Sequence, residues 1–200
     1  MWNFKKSIYQ SRREDIVPSS CIDVTIGTQI WTSCNLNVDT YRNGDPIPQV
    51  TDATTWANLT TGAWCYYNNS SANGTVYGKL YNKYAVDDPR GLAPLGYHIP
   101  TDTEWNTLIT YLGGTSVAGG KMKEAGTLHW QSPNTGATNI SGFTGLGSGF
   151  RGAAGGFGLI NQSVTFRNTV NANSLVYTTQ TVVSAVNTSS YGYSVRLIKD

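Results

Sequence analysis

Carboxylates are scarce in this 200-residue chain and nearly missing from its second half: twelve Asp and Glu occur in all, and after Glu124 the next is Asp200. Calcium takes several hard oxygen ligands, so the gap argues against a calcium site built from the C-terminal half. It argues equally against paired-carboxylate glycoside chemistry there. Basic charge is also weak. A net charge of +2 with scattered Lys and Arg gives no stripe for a phosphate backbone, which excludes nucleic acid as the expected partner. No apolar run approaches the roughly 20 residues that cross a bilayer, and the amino terminus lacks the apolar core of a signal peptide, so membrane insertion is not expected. Histidine is limited to His98 and His129, neither with an i, i+4 partner or HExxH spacing, and both read as structural residues. No GxSxG elbow supports a serine nucleophile, and "GLGSGFRG" lacks the lysine and strand-to-helix setting of a phosphate loop. Cys21, Cys34 and Cys65 are odd in number and lack metal-ligand spacing; one disulfide with a free thiol, or three thiols, both fit. The expectation is no catalytic residue, no metal and no cofactor.

What the chain has in quantity is Gly, Asn, Ser and Thr, together with Trp and Tyr, a mixture suited to loop-rich β structure in one domain with a real core. Residues 1–20 differ from the rest, with charges of both signs and a Pro-Ser-Ser break, and read as an extension or attachment arm before a domain over residues 21–200. "CIDVTIGTQIW" reads as strand with a glycine turn, and "DATTWANLTTG" as a short helix. In "PTDTEWNTLITYLGG", Thr101 and Glu104 form a capping box. Trp105, Leu108, Ile109 and Leu112 repeat at helical spacing there, and Gly113 ends the helix. Asp87, Asp88 and Arg90 sit among Pro and Gly turns and read as loop braces rather than as an acid, a base and an anion clamp. A buried strand is expected over residues 195–198.

Several ordered motifs carry a resemblance: "WTSCNLNVDTYRNGDPIPQVTDATTWANLTTGAWCYYNN", "YGKLYNKYAVDDPRGLAPLGYHIPTDTEW", "AGGKMKEAG", "PNTGATNISGFTGL" and the closing "YGYSVRLIKD". Across about residues 24–200 the chain resembles the Fibrobacter succinogenes major paralogous domain. That resemblance implies an α+β, C-type-lectin-like fold of the formylglycine-generating-enzyme-like branch, with two main helices, small antiparallel sheets, long ordered loops and usually no calcium. The chain departs from the family pattern at "TFRNT", residues 165–169, where a Trp-Trp-Ser-Ser-Thr run is common, and at Leu197, where a Cys is common. The second departure removes the expected partner of Cys65, so any disulfide must involve Cys21 or Cys34.

Variable proteins of diversity-generating retroelements share the fold, and the resemblance implies a C-terminal stretch rewritten at adenine-containing codons, here about residues 161–191. An AAC codon altered at its adenines cannot become Lys, Glu, Met, Trp or Gln. Residues 164–191 contain none of the first four, while Gln180 must be fixed or derive from another codon. On this reading Phe166, Arg167, Tyr177 and Tyr191 are the expected ligand-contacting anchors. Asn161, Asn168, Val170, Asn171, Asn173, Thr179, Asn187, Thr188 and Ser189 complete the expected surface. The function expected is a non-enzymatic binding module on a virion or cell surface, attached through its N-terminal segment and meeting a protein or glycan ligand on a target surface. The alternatives are a structural spacer domain, or an oxidase of the formylglycine-generating type, which needs a reactive cysteine pair binding copper.

Overall fold

The computed structural model describes residues 21–185 and 188–200; the arm expected at residues 1–20 and the site residue Asn187 lie outside the described residues. The chain starts with a hairpin, β1 (Asp23–Ile26) and β2 (Gln29–Thr32), closed by the two-residue turn Gly27-Thr28. Gly27 stands at φ +64°, the left-handed position such tight turns demand. A Cys21–Cys34 disulfide ties the two ends of the hairpin. Short elements follow: α1 (Ala53–Ala57), β3 (Trp64–Cys65), α2 (Ser71–Tyr77), β4 (Leu80–Tyr81), α3 (Lys83–Val86) and β5 (Tyr97–His98). The "DATTWANLTTG" helix forms as α1, with Asp52 as its N-cap and Trp56 wholly buried.

The helix expected from the capping box is α4 (Asp102–Tyr111). Thr101 and Glu104 satisfy each other's backbone N–H groups, Trp105, Leu108 and Ile109 face inward, and Gly113 and Gly114 both take positive φ just past the end. It leads into α5 (Thr115–Met122). Among the described residues there are five α-helices, of which α4 and α5 are the longest; the other three are single turns or two, so the expected pair is joined by smaller companions.

The remaining strands are β6 (Ser148–Arg151), β7 (Phe157–Ile160), β8 (Ser163–Arg167), β9 (Ala172–Val176), β10 (Val182–Ser184), β11 (Ser194–Val195) and β12 (Ile198–Lys199). One sheet has the order β1-β2-β12-β5, a second β10-β9-β8-β6-β7 with β11 also on β8, and β3 pairs β4 alone. The sheets are small, as expected, but not purely antiparallel: β6 and β11 both run parallel to β8. The single strand expected over residues 195–198 is two. β11 belongs to the second sheet and β12 to the first, and the chain changes sheet at Arg196 and Leu197. That crossing joins the two sheets across a shared core of Trp31, Trp105, Phe143, Val164, Phe166 and Ile198 among others. The outcome is a mixed α+β domain without a barrel.

Candidate functional site

β8 is the central strand of its sheet and is covered on both faces, so all five of its residues are buried. A strand covered on both sides loses the in-out alternation that marks a surface, and its β-branched residues then give no hint of depth. Three expected ligand contacts, Phe166 and Arg167 on β8 and Asn168 just past its end, are buried and are corrected. Phe166 has no exposure; it lies 5.4 Å from the Phe143 ring and 5.7 Å from that of Trp105, inside the main core. Arg167 is equally buried and stacks 4.8 Å from the centre of the Tyr193 ring, and burial pulls its pKa down to about 10. Asn168, also at zero exposure, closes a turn: its Oδ1 accepts from the Val170 and Asn171 backbone N–H groups, and its Nδ2 donates to Asp102 Oδ1 at 2.6 Å. None of the three reaches a surface.

They hold one up. The Arg167 guanidinium donates to the carbonyls of Thr188 (3.1 Å) and Tyr191 (3.0 Å). Between those two, the Lys83 backbone N–H donates to Ser189 O at 3.0 Å and Trp56 Nε1 to Ser190 O at 2.7 Å. Four consecutive loop carbonyls are therefore anchored from below by donors of other elements. The neighbouring turn is treated alike: Thr169 N donates to Pro100 O at 3.1 Å, Lys83 Nζ reaches Thr169 O at 3.4 Å, and Asn171 Nδ2 donates to Asp102 Oδ2 at 2.7 Å. Above this frame Val170 is 60% exposed, Asn171 and Thr188 are exposed, and Ser189 and Tyr191 are half-buried, with Tyr191 stacked against Phe150. Half-buried Asn173 belongs to the same end of the sheet, paired with Ser184 on β10.

The other expected residues lie elsewhere. β8 and β9 pair from Arg167↔Ala172 to Ser163↔Val176, so Asn161, Tyr177 and Thr179 sit at the far end of that ladder. Asn161 takes a left-handed φ of 60° and accepts from the Tyr77 hydroxyl at 2.8 Å; half-buried Tyr177 packs on the core, and the Thr179 carbonyl accepts from Lys123 Nζ at 2.9 Å. The expected surface thus divides in two, about 13 Å apart at the usual rise per strand residue. Lys83, Trp56 and Asp102, which shape the nearer half, carry no sequence signal of that role, because each acts from a distant element.

Both histidines and Arg90 are held in structural contacts. His98 joins Asp200 through Nδ1 and Glu104 through Nε2, both at 2.8 Å, on opposite sides of the ring. His129 Nδ1 meets Glu124 at 2.9 Å. Arg90 braces Asp88 and Asp45, as the turn-rich setting led one to expect. Among the described residues no three His, Cys, Asp or Glu side chains are grouped to hold a metal ion.

A profile of the Fibrobacter succinogenes major domain matches residues 24–199, from within β1 to the end of β12. The chain belongs to the Fibrobacter succinogenes major domain family. No curated protein and no solved structure matches it. In this member of the family, Cys65 lacks a sulfur partner among the described residues and is wholly buried, and burial pushes its thiol up to about 11. A thiol so placed is a poor nucleophile and metal ligand.

Proposed function

We propose that this domain is a non-catalytic recognition module of C-type-lectin-like fold, the variable protein of a diversity-generating retroelement, displayed on a virion or cell surface. It would bind a protein or glycan without calcium. The part of the C-terminal stretch assigned to contact is the turn at residues 169–171, the adjoining Asn173 of β9 and the loop at residues 188–191, with Val170, Asn171, Asn173, Thr188, Ser189 and Tyr191 facing the ligand. Phe166, Arg167 and Asn168 serve as its foundation.

The observation that carries this reading is the anchoring of residues 188–191 by their carbonyls. A carbonyl is the same in every residue, so a loop held through carbonyls keeps its course while its side chains change. The donors, Arg167, Lys83 and Trp56, come from outside the loop. The pairing of Cys21 with Cys34 and the unreactive setting of Cys65 weigh against the oxidase alternative.

The deciding comparison is of nucleotides. A second copy of the 3′ coding segment near the gene, differing from it at adenines over the codons for residues 169–191, supports the proposal. Sibling sequences whose differences scatter evenly over the domain, with no such copy, defeat it in favour of a spacer.

A further inference from the structure

The outward stripe of α4 is unusual in its chemistry. Thr103, Asn106, Thr107, Thr110 and Tyr111 recur at helical spacing, and all five are exposed. A solvent-facing stripe ordinarily carries Lys, Glu and Arg, which are good helix formers; this one has no charge and three β-branched Thr, which are poor ones. Across from it stands the β1–β2 turn. Between them lies an open hollow of about 750 Å³, lined by that stripe together with Ile26, Gly27 and Thr28, and free of charged side chains.

Tyr111 gives the hollow a fixed floor. Its ring lies against Gly27 so closely that a Cβ there would sit 2.9 Å from ring carbons Cγ and Cδ2, which leaves one face supported and the residue 64% exposed. Past the ring the surface continues into a second hollow of about 410 Å³, bordered by Thr25, Lys121, Ser141 and the 78% exposed Ile140. Thr107 Oγ1 donates back to Thr103 O and keeps its lone pairs for an outside donor. Thr28, Asn106 and Thr110 make no side-chain hydrogen bond to the other described residues.

A supported aromatic face, flanked by hydroxyl and amide groups, matches the C–H face and hydroxyl edge of a pyranose ring. The hollow between α4 and the turn carries no charged side chain, Lys121 bordering only the second hollow, and this suits a ligand without charge. We infer that the groove between α4 and the β1–β2 turn is a second binding site, for a neutral oligosaccharide stacked on Tyr111. It is independent of the loop surface: Asp102, beneath that surface, and Tyr111 are nine residues apart on α4, about 14 Å along the axis.

Calorimetric titration of the full chain with cellohexaose, xylohexaose, mannohexaose and maltohexaose tests the inference, with hexagalacturonate as the charged control. Binding of at least one neutral sugar, weakened about tenfold or more by Tyr111→Ala and kept within about threefold by Tyr111→Phe, is the expected result. Asn106→Ala should weaken it about threefold without shifting the melting temperature. No heat from any neutral sugar, equal binding of the charged control, an unaffected Tyr111→Ala, or a Tyr111→Phe as defective as the alanine variant would each overturn it. Changes at Val170 or Thr188 should leave this binding intact.

Discussion

Buried cations without carboxylates are the chain's most particular residues. Arg196, at 1% exposure, donates through Nε to Asn35 Oδ1 (2.8 Å) and through its terminal nitrogens to the carbonyls of Thr32 (2.8 Å), Phe143 (2.6 Å) and Thr144 (2.8 Å). Lys123 serves Thr135, Val176 and Thr179 in the same manner, and Arg151 serves Gly155, Val50 and Thr51. Irregular backbone leaves carbonyls without ladder partners, and a buried carbonyl left unpaired costs about 1–3 kcal/mol. The buried cations of the acid-poor second half are thus met by backbone oxygens in place of carboxylates. The shortage of acids is visible in the sequence; the carbonyl partners are not, because Arg196 finds them 52 to 164 positions away. Arg196→Met, close in length and apolar, should therefore lower stability by at least about 3 kcal/mol in urea denaturation, far beyond the usual cost of a surface change. The cysteines give a second residue-scale expectation. Native protein should show no fast-reacting thiol toward a colorimetric disulfide reagent, Cys65 becoming titratable only on unfolding, and reducing Cys21–Cys34 should cost no more than about 3 kcal/mol given its short loop. A native Cys65 that reacts within seconds would contradict the burial.

Elements in this protein are short, and their ends are tied by side chains. β5, β12 and the start of α4 meet at His98, whose imidazole bridges Asp200 and Glu104. Burial pulls the His98 pKa down, but the hydrogen bonds and charges of Asp200 and Glu104 outweigh it and leave it raised. Burial likewise pushes Glu104 up, and the Thr101 backbone N–H with His98 more than compensates, leaving it lowered. The signs bracket a pH window. The His98 contribution is whole below the ordinary histidine value of about 6.5 and is lost as pH rises through the higher folded value. The Glu104 contribution is present above the ordinary carboxylate value and is lost as pH falls through the depressed one. Urea midpoints should accordingly fall as pH rises above about 6.5, and His98→Gln should flatten that limb; an unchanged slope would mean that the bridge does not form in solution. The capping box that places Glu104 was legible because its signal is local, and so were the hairpin turn at Gly27 and the helix at Trp56. β8 was not. A five-residue strand of Ser, Val, Thr, Phe and Arg reads as a half-exposed edge until β6, β9 and β11 are known to enclose it.

At the scale of the whole molecule, the question is whether a rigid frame and a changeable surface can be separated within one contiguous stretch of sequence. Residues 164–191 contain both, interleaved: Phe166 and Arg167 have no exposure, Val170 is 60% exposed, and Leu175 is buried again. The anchoring pattern predicts how stability divides between them. Val170, Thr188 and Ser189 support the loops through their backbones, so replacing all three together, for example with Lys, Tyr and Arg, should change unfolding free energy by no more than about 1.5 kcal/mol, the sum of three ordinary surface changes. Phe166→Ala removes a core aromatic and should cost about 3–5 kcal/mol. Trp56→Phe keeps an aromatic ring but removes the fused pyrrole and with it the indole N–H to Ser190 O, so lost packing adds to the lost hydrogen bond and the change should fall between, at about 2–3 kcal/mol, although Trp56 contributes no atom to the exposed surface. Urea melts of the four proteins read the ranking directly. If the triple variant loses as much as Phe166→Ala, the side chains of the loops are part of the frame, and a surface rewritten at random could not be carried by this fold. If it melts with the parent, the loop course is set from beneath and not by the loop's own side chains, which is the condition that any exchangeable binding surface on this domain must meet.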